Sequence, residues 1–228
     1  MRKILAFTLA ETLIVMGIIG IVSALTLPNL NSSTGEKEKV AKVKKIYRDL
    51  TDAIGRAIAV YGPIDDWLIN DSNSMQYDTR IGERLTEFIK VSKTCGYGSA
   101  AENMACFPNL SSGAFNSPLM AGYKFITADG TNIVIATGYD KFWVGFDIDG
   151  KSKGKNTYGT DVFVLKFDIN GNLQYDGITS FSGDFVKSDN VYAYWILKND
   201  NLDYLKLDSS GKCPNGSKLN WDNNISCK

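Results

Sequence analysis

The sequence predicts an α+β fold in which a long N-terminal helix packs on an antiparallel sheet. Apolar residues recur every three or four positions from Val40 to Tyr61, the mark of an amphipathic helix. After Pro118 the texture turns to short apolar or alternating runs, "YKFITADGTNIVIAT", "KFWVGFDIDG", "DVFVLKFDINGNLQYDG" and "VYAYWILKND", which read as strands. Asp129-Gly130 and Asn170-Gly171 fall between or within such runs, a strong hairpin signal that makes neighbouring strands antiparallel. Helices first and strands afterwards is the order of an α+β domain.

Taken in order, the chain opens with Arg2 and Lys3 ahead of an apolar run from Phe7 to Leu27. At ~1.5 Å per residue a helix of that length spans about 30 Å, the thickness of a bilayer's hydrocarbon core. The basic end is expected on the cytoplasmic side, with everything after Pro28 outside. Pro28 and the poor helix formers of "NLNSSTG" predict a joint at 29–35. Ser33 with Glu36 matches a capping box, so an amphipathic helix is expected from near Thr34. Its stripe is Val40, Val43, Tyr47, Leu50, Ile54, Ile58 and Tyr61, and Gly62-Pro63 marks its end. The charges of "EKEKVAKVKK" read as its solvated face. "DWLINDSNSMQYD" reads as irregular, whereas Ile81, Leu85, Phe88 and Ile89 predict a shorter helix over 79–92. A cysteine-bounded loop, "CGYGSAAENMAC", then precedes the strands.

The 228 residues carry 25 basic and 25 acidic side chains and no histidine. Zero net charge gives no global pull toward nucleic acid, and none is expected as a partner. Without imidazole there is no Ser-His-Asp or Cys-His nucleophile and no His-ligated zinc. No nucleophile elbow, phosphate-cradling glycine loop or metalloprotease helix is present either, so no catalytic residue is nominated and the chain is not expected to be an enzyme. The four cysteines form two sequence-local pairs for which three connectivities are open. Cys95 with Cys106 and Cys213 with Cys227 is favoured, because each bond closes a loop rich in small and polar residues, worth roughly 3 kcal/mol in the chain-entropy model. Such bonds persist outside the cytoplasm.

Glu11 is the anomaly of the apolar run. A carboxylate inside a membrane segment costs on the order of 2 to 3 kcal/mol. An ordinary secretory signal, for which Val22, Ser23 and Ala24 offer a small-residue cleavage site, gains nothing in return. A permanent signal anchor is a second reading. Both leave an alternative function open, that of a secreted or anchored extracytoplasmic binding or adhesion protein that forms no filament.

The third reading rests on "AFTLAETLIVMGIIGIV", which follows a short basic leader and resembles the prepilin leader of type IV pilins and type II secretion pseudopilins. The resemblance implies that prepilin peptidase cuts between Ala6 and Phe7, where the family usually has Gly before the cut, and methylates the new amine of Phe7. It also implies assembly through Glu11. Independently, Phe7 and Glu11 are separated by about 6 Å of helix rise, so the freed amine of one subunit lies at the depth of a neighbour's carboxylate. Gly17, Gly20 and Ala24 add a small-residue face for close helix approach.

The element order is similar to the pilin fold, and "FDIDGKSKGKNTYGTDVF" resembles a segment of bacterial pilin-like proteins, with Lys155 where that pattern has proline. Related pseudopilins bind calcium in a comparable loop, which makes Asp147, Asp149 and Asp161 candidate calcium ligands. The competing reading is a polar hairpin turn whose carboxylates are satisfied locally, and the D-x-N-G repeat at Asp168 to Gly171 adds to it. No cofactor is required. The expected division is leader 1–6, membrane and assembly helix 7–28, joint 29–35 and an extracytoplasmic pilin-like domain 36–228. Its expected partners are prepilin peptidase, other pilin or pseudopilin subunits and inner-membrane lipid, and its function is that of a filament subunit.

Overall fold

The computed structural model describes residues 9–67, 74–98, 106, 107, 110, 122–138, 140–150, 153–174, 185–187 and 191–227. Helix α1 runs Leu9–Tyr61, followed by α2 (Ile64–Trp67), α3 (Ser74–Thr86), strands β1 (Val91–Gly98), β2 (Gly122–Thr127), β3 (Asn132–Thr137), β4 (Lys141–Asp147), β5 (Val162–Asp168) and β6 (Leu173–Gln174), then α4 (Tyr192–Asn199) and a 3-10 turn at Asp203–Lys206. The six strands form one antiparallel meander in sequence order. The chain divides into two compact units, Met1–Glu38 and Lys39–Lys228.

The backbone of α1 is helical through Pro28 and through 29–35, so the expected joint is not a break and the Ser33–Glu36 signal does not start a helix. Proline in a helix interior removes one N–H and crowds one carbonyl, a cost of about 3 kcal/mol that does not end α1 here.

Within the Lys39–Lys228 unit, α1 buries Val43, Ile46, Leu50, Ala53, Ile54 and Ala57, a seam spaced by three and four residues. It belongs to one core with Phe125, Ile133, Ile135, Phe142, Val144, Phe146, Phe163, Leu165 and Phe167, which share one face of the sheet because side chains alternate along a strand. Phe142 stands opposite Phe167 and Phe146 opposite Phe163 across β4 and β5, and both pairs stack, with centroids 5.4 and 5.8 Å apart. On the other face Val134, Ala136, Val162 and Val164 form a second cluster with Phe107 and Tyr158. Both faces of the central strands are therefore covered, and for that reason β3 and β5 read as continuous apolar runs.

Two expected elements change. The helix predicted over 79–92 is α3, and Val91–Gly98 is an edge strand instead. It stops because the Phe88 N–H closes a tight turn onto the Leu85 carbonyl at 3.1 Å, after which Val91 pairs with Thr127. "VYAYWILKND", read as a strand from its aromatic and β-branched content, is helix α4. Its residues Ala193, Tyr194, Trp195 and Ile196 are all buried, and Asp200 ends it in the left-handed region (φ 59°) with its N–H on the Ile196 carbonyl. The Tyr194 hydroxyl accepts the Lys166 N–H at 3.0 Å and donates to the Gln174 carbonyl, ties to β5 and β6 that local propensity does not encode.

Helix α3 is held to the sheet by Asp78, whose Oδ1 accepts both the N–H and the hydroxyl of Thr137 at 2.6 Å. Gly82 lets it come close, since a Cβ there would lie 2.1 Å from the Tyr123 ring. Gly82→Ala gains about 1 kcal/mol of helix propensity. Against that stands an overpacking cost of about 3 kcal/mol against a buried ring. The expected result is a net loss of about 2 kcal/mol, read as a lower urea midpoint; an unchanged or higher midpoint would mean that α3 repacks freely.

Candidate functional site

The first candidate is the N-terminal helix. From Leu9 to Val22 the helix is exposed on all sides within this chain: Leu13 is 64%, Met16 74% and Ile21 65% accessible. Covering each large apolar side chain is worth about 1.5–3 kcal/mol, and exposed apolar surface of this kind is what marks contact sites for protein or membrane in general. Glu11 lies inside it, and is itself exposed. Gly17 and Gly20 face open space, with nothing within 4 Å of a Cβ placed on either, so no contact inside this chain accounts for their small size. Ala6 and Phe7 lie outside the described residues. Among the described residues no helix is long and apolar enough to cross a membrane. The stretch with described side chains, Leu9–Val22, is shorter than the about 20 residues such a span needs.

The second candidate is the loop from β4 to β5. It begins at Asp147 and returns at Asp161, with the Ile148 N–H on the Asp161 carbonyl at 3.0 Å. Asp161 is buried and its carboxylate accepts three successive backbone N–H groups, Lys155 at 2.6 Å, Asn156 at 3.0 Å and Thr157 at 2.6 Å. Left-handed backbone at Gly154 (φ 67°), Asn156 (φ 48°) and Gly159 (φ 77°) curls the chain around it. A Cβ on Gly154 would lie 2.3 Å from Asp161 Oδ2 and 2.5 Å from Asp149 Oδ2, so the loop closes only over a glycine. Asp147 is fully buried; burial first, and then the neighbouring Asp149 carboxyl, push its pKa up to about 7.

The three expected calcium ligands thus come together, but in different roles. Asp161 is occupied by amides as the anchor of the loop. Asp147, buried beside the Asp149 carboxyl, keeps its proton through the acidic range. Among the described residues no group of three or more acidic or cysteine side chains is arranged to hold a metal ion. Asp147 Oδ2 and Asp149 Oδ1 are buried without a hydrogen-bond partner, so a local turn satisfies the Asp161 carboxylate but not every oxygen of the other two. Thermal melting with saturating calcium and with chelator is expected to give the same midpoint within about 1 °C, and a rise of several degrees in calcium would restore the metal.

Both local disulfides are present, Cys95–Cys106 with Cα atoms 6.2 Å apart and Cys213–Cys227 at 5.3 Å. The first ties edge strand β1 to Cys106, whose carbonyl accepts the Asn132 side-chain amide at 2.8 Å and which precedes the buried Phe107. The second fixes the C-terminal segment against Asp203, whose Oδ2 accepts the Ser226 hydroxyl at 2.8 Å and the Cys227 N–H at 2.7 Å. That segment closes an aromatic cluster in which Phe185, Trp195 and Trp221 lie 4.7 to 5.6 Å apart, centroid to centroid. Residue reading did not nominate Asp203; its only signal is an acidic residue ahead of the last cysteine pair. Comparison with protein-family models, with curated proteins and with solved structures finds no match to this chain.

Proposed function

We propose that this chain is a filament subunit of the type IV pilus or type II secretion pseudopilus kind, made as a prepilin, processed at its leader and assembled through its N-terminal helix. The observation that carries the reading is the exposed apolar surface of Leu9–Val22 with Glu11 set inside it, ahead of a compact disulfide-bonded α+β unit. An apolar helix of this kind is stored in the inner membrane with the folded unit outside the cytoplasm, and moves from lipid into a bundle of like helices. Prepilin peptidase frees the amine of Phe7, and in the bundle that amine neutralises Glu11 of a neighbouring subunit. Lipid offers the carboxylate no such partner, so assembly in the right register is favoured over remaining in the membrane.

Mass spectrometry of the mature N-terminus tests the proposal. The expected product starts at N-methylated Phe7. A chain starting at Leu25 would make it a secreted protein, and intact Met1 would make it an anchored one; either overturns the filament reading.

A further inference from the structure

The pattern Asn-x-Ser, with x other than proline, marks an acceptor for N-linked glycan on chains exported from the cytoplasm, and it occurs at Asn31, Asn70, Asn109, Asn215 and Asn224. Asn31 lies within α1, where the helix takes up the Ser33 N–H, and Asn70 and Asn109 lie outside the described residues. Asn215 and Asn224 both fall between the cysteines of the second disulfide, and the structure treats them differently.

Asn215 stands at the tip of a tight turn. The Gly216 N–H closes onto the Cys213 carbonyl at 2.8 Å and the Cys213 N–H onto the Ser217 carbonyl at 2.7 Å, with Lys212 and Lys218 bridged below. Proline at the second position and glycine (φ 83°) at the fourth are residues that such a turn favours. Cys213 is buried and bonded to Cys227, so the base is fixed while Pro214, Asn215 and Gly216 are exposed. Asn215 Oδ1 accepts the Ser217 N–H at 3.0 Å and the Ser217 hydroxyl at 2.7 Å. The carboxamide is thereby held by its oxygen, and the two donors stabilise the negative charge that gathers there as the nitrogen gives up a proton.

Asn224 is the opposite case. It is half-buried, its side-chain N–H donates to the Lys218 carbonyl, and its own carbonyl accepts the Asn220 N–H at 2.8 Å. The hydroxyl of its serine, Ser226, is given to Asp203 Oδ2 at 2.8 Å. Both groups that the pattern supplies are spent inside the fold.

We propose that Asn215 is an N-glycosylation site and that Asn224, which has the same sequence pattern, is not. The donor class is a glycan carried on a polyprenyl diphosphate. In the transfer the Asn215 nitrogen bonds to the anomeric carbon of the first sugar, the bond from that carbon to the diphosphate oxygen breaks, and the amide proton leaves with the diphosphate. The site rests on the unit lying outside the cytoplasm, as the filament reading requires.

Mass spectrometry of the protein purified from the cells that make it, reduced and digested with trypsin, tests the site and reports the N-terminus in the same run. Lys218 lies between the two asparagines, so they fall on separate peptides. Sugar mass is expected on the Asn215 peptide and none on the Asn224 peptide. Asn215→Gln and Ser217→Ala should each abolish it with the melting temperature unchanged, whereas Ser217→Thr and Asn224→Gln should keep it. An unmodified Asn215 peptide, sugar retained in Ser217→Ala, or sugar on Asn224 would overturn the proposal. Methylated Phe7 beside an unmodified Asn215 would leave the filament reading standing while this site falls.

Discussion

Asp161→Ala is expected to lower the stability of the folded unit by about 3–5 kcal/mol. The substitution removes the acceptor of the Lys155, Asn156 and Thr157 N–H groups at once, and each donor left without a partner costs about 1–3 kcal/mol, less where water reaches it. The loop has no substitute acceptor in place, because Gly154, Asn156 and Gly159 adopt left-handed backbone in order to point their segment at this one carboxylate. Asp161→Asn should fall between wild type and alanine, since one amide oxygen can accept where two carboxylate oxygens did. Urea denaturation measures the loss, and limited proteolysis should move to the 150–160 segment. A loss below about 1 kcal/mol for the alanine variant would mean that the loop is held by its ends alone.

The second large effect concerns assembly. Glu11→Ala should leave membrane insertion intact or improved, because it removes a cost on the order of 2 to 3 kcal/mol. In cells that also make wild-type subunits, the variant should be nearly absent from the sheared filament fraction. Breaking one half of a buried charge pair costs about 3–5 kcal/mol, which corresponds to a 100-fold or greater loss of incorporation. Incorporation at the wild-type ratio would remove the charge-register argument, whereas loss of the protein from the membrane would place the role of Glu11 in insertion instead.

Much of the folded unit was legible because its signals are local. Strands β2 to β5 follow from their apolar runs, and the Asp129-Gly130 and Asn170-Gly171 turns place a left-handed glycine (φ 88° and 78°) where each hairpin requires one. Sequence spacing also suggested both disulfides. The helical stripe was legible only in part. Val43, Leu50 and Ile54 were read as core and are, but Ile46, Ala53 and Ala57 are buried as well, while Tyr47, Ile58 and Tyr61 lie half-covered on the flank. A reading keyed to large side chains overlooks alanines, yet small residues let α1 lie close to a sheet face crowded with phenylalanine.

By itself the sequence determined the α+β class, the antiparallel pairing and the presence of an apolar segment with a carboxylate in it, and it favoured the cysteine partners without fixing them. These depend on periodicity and on turn chemistry, which act over a few residues. The tertiary structure alone decided that "VYAYWILKND" is a helix, that α1 continues through Pro28, and that the Asp161 carboxylate gathers three backbone amides. Helix α4 turns on groups distant in sequence, the Tyr194 hydroxyl on Lys166 and Gln174, and the Asp161 loop on amides four to six residues away that only its left-handed turns bring round to the carboxylate. A linear reading identifies such groups but not their partners, because which donor meets which acceptor is settled only when the sheet and α1 have closed on each other.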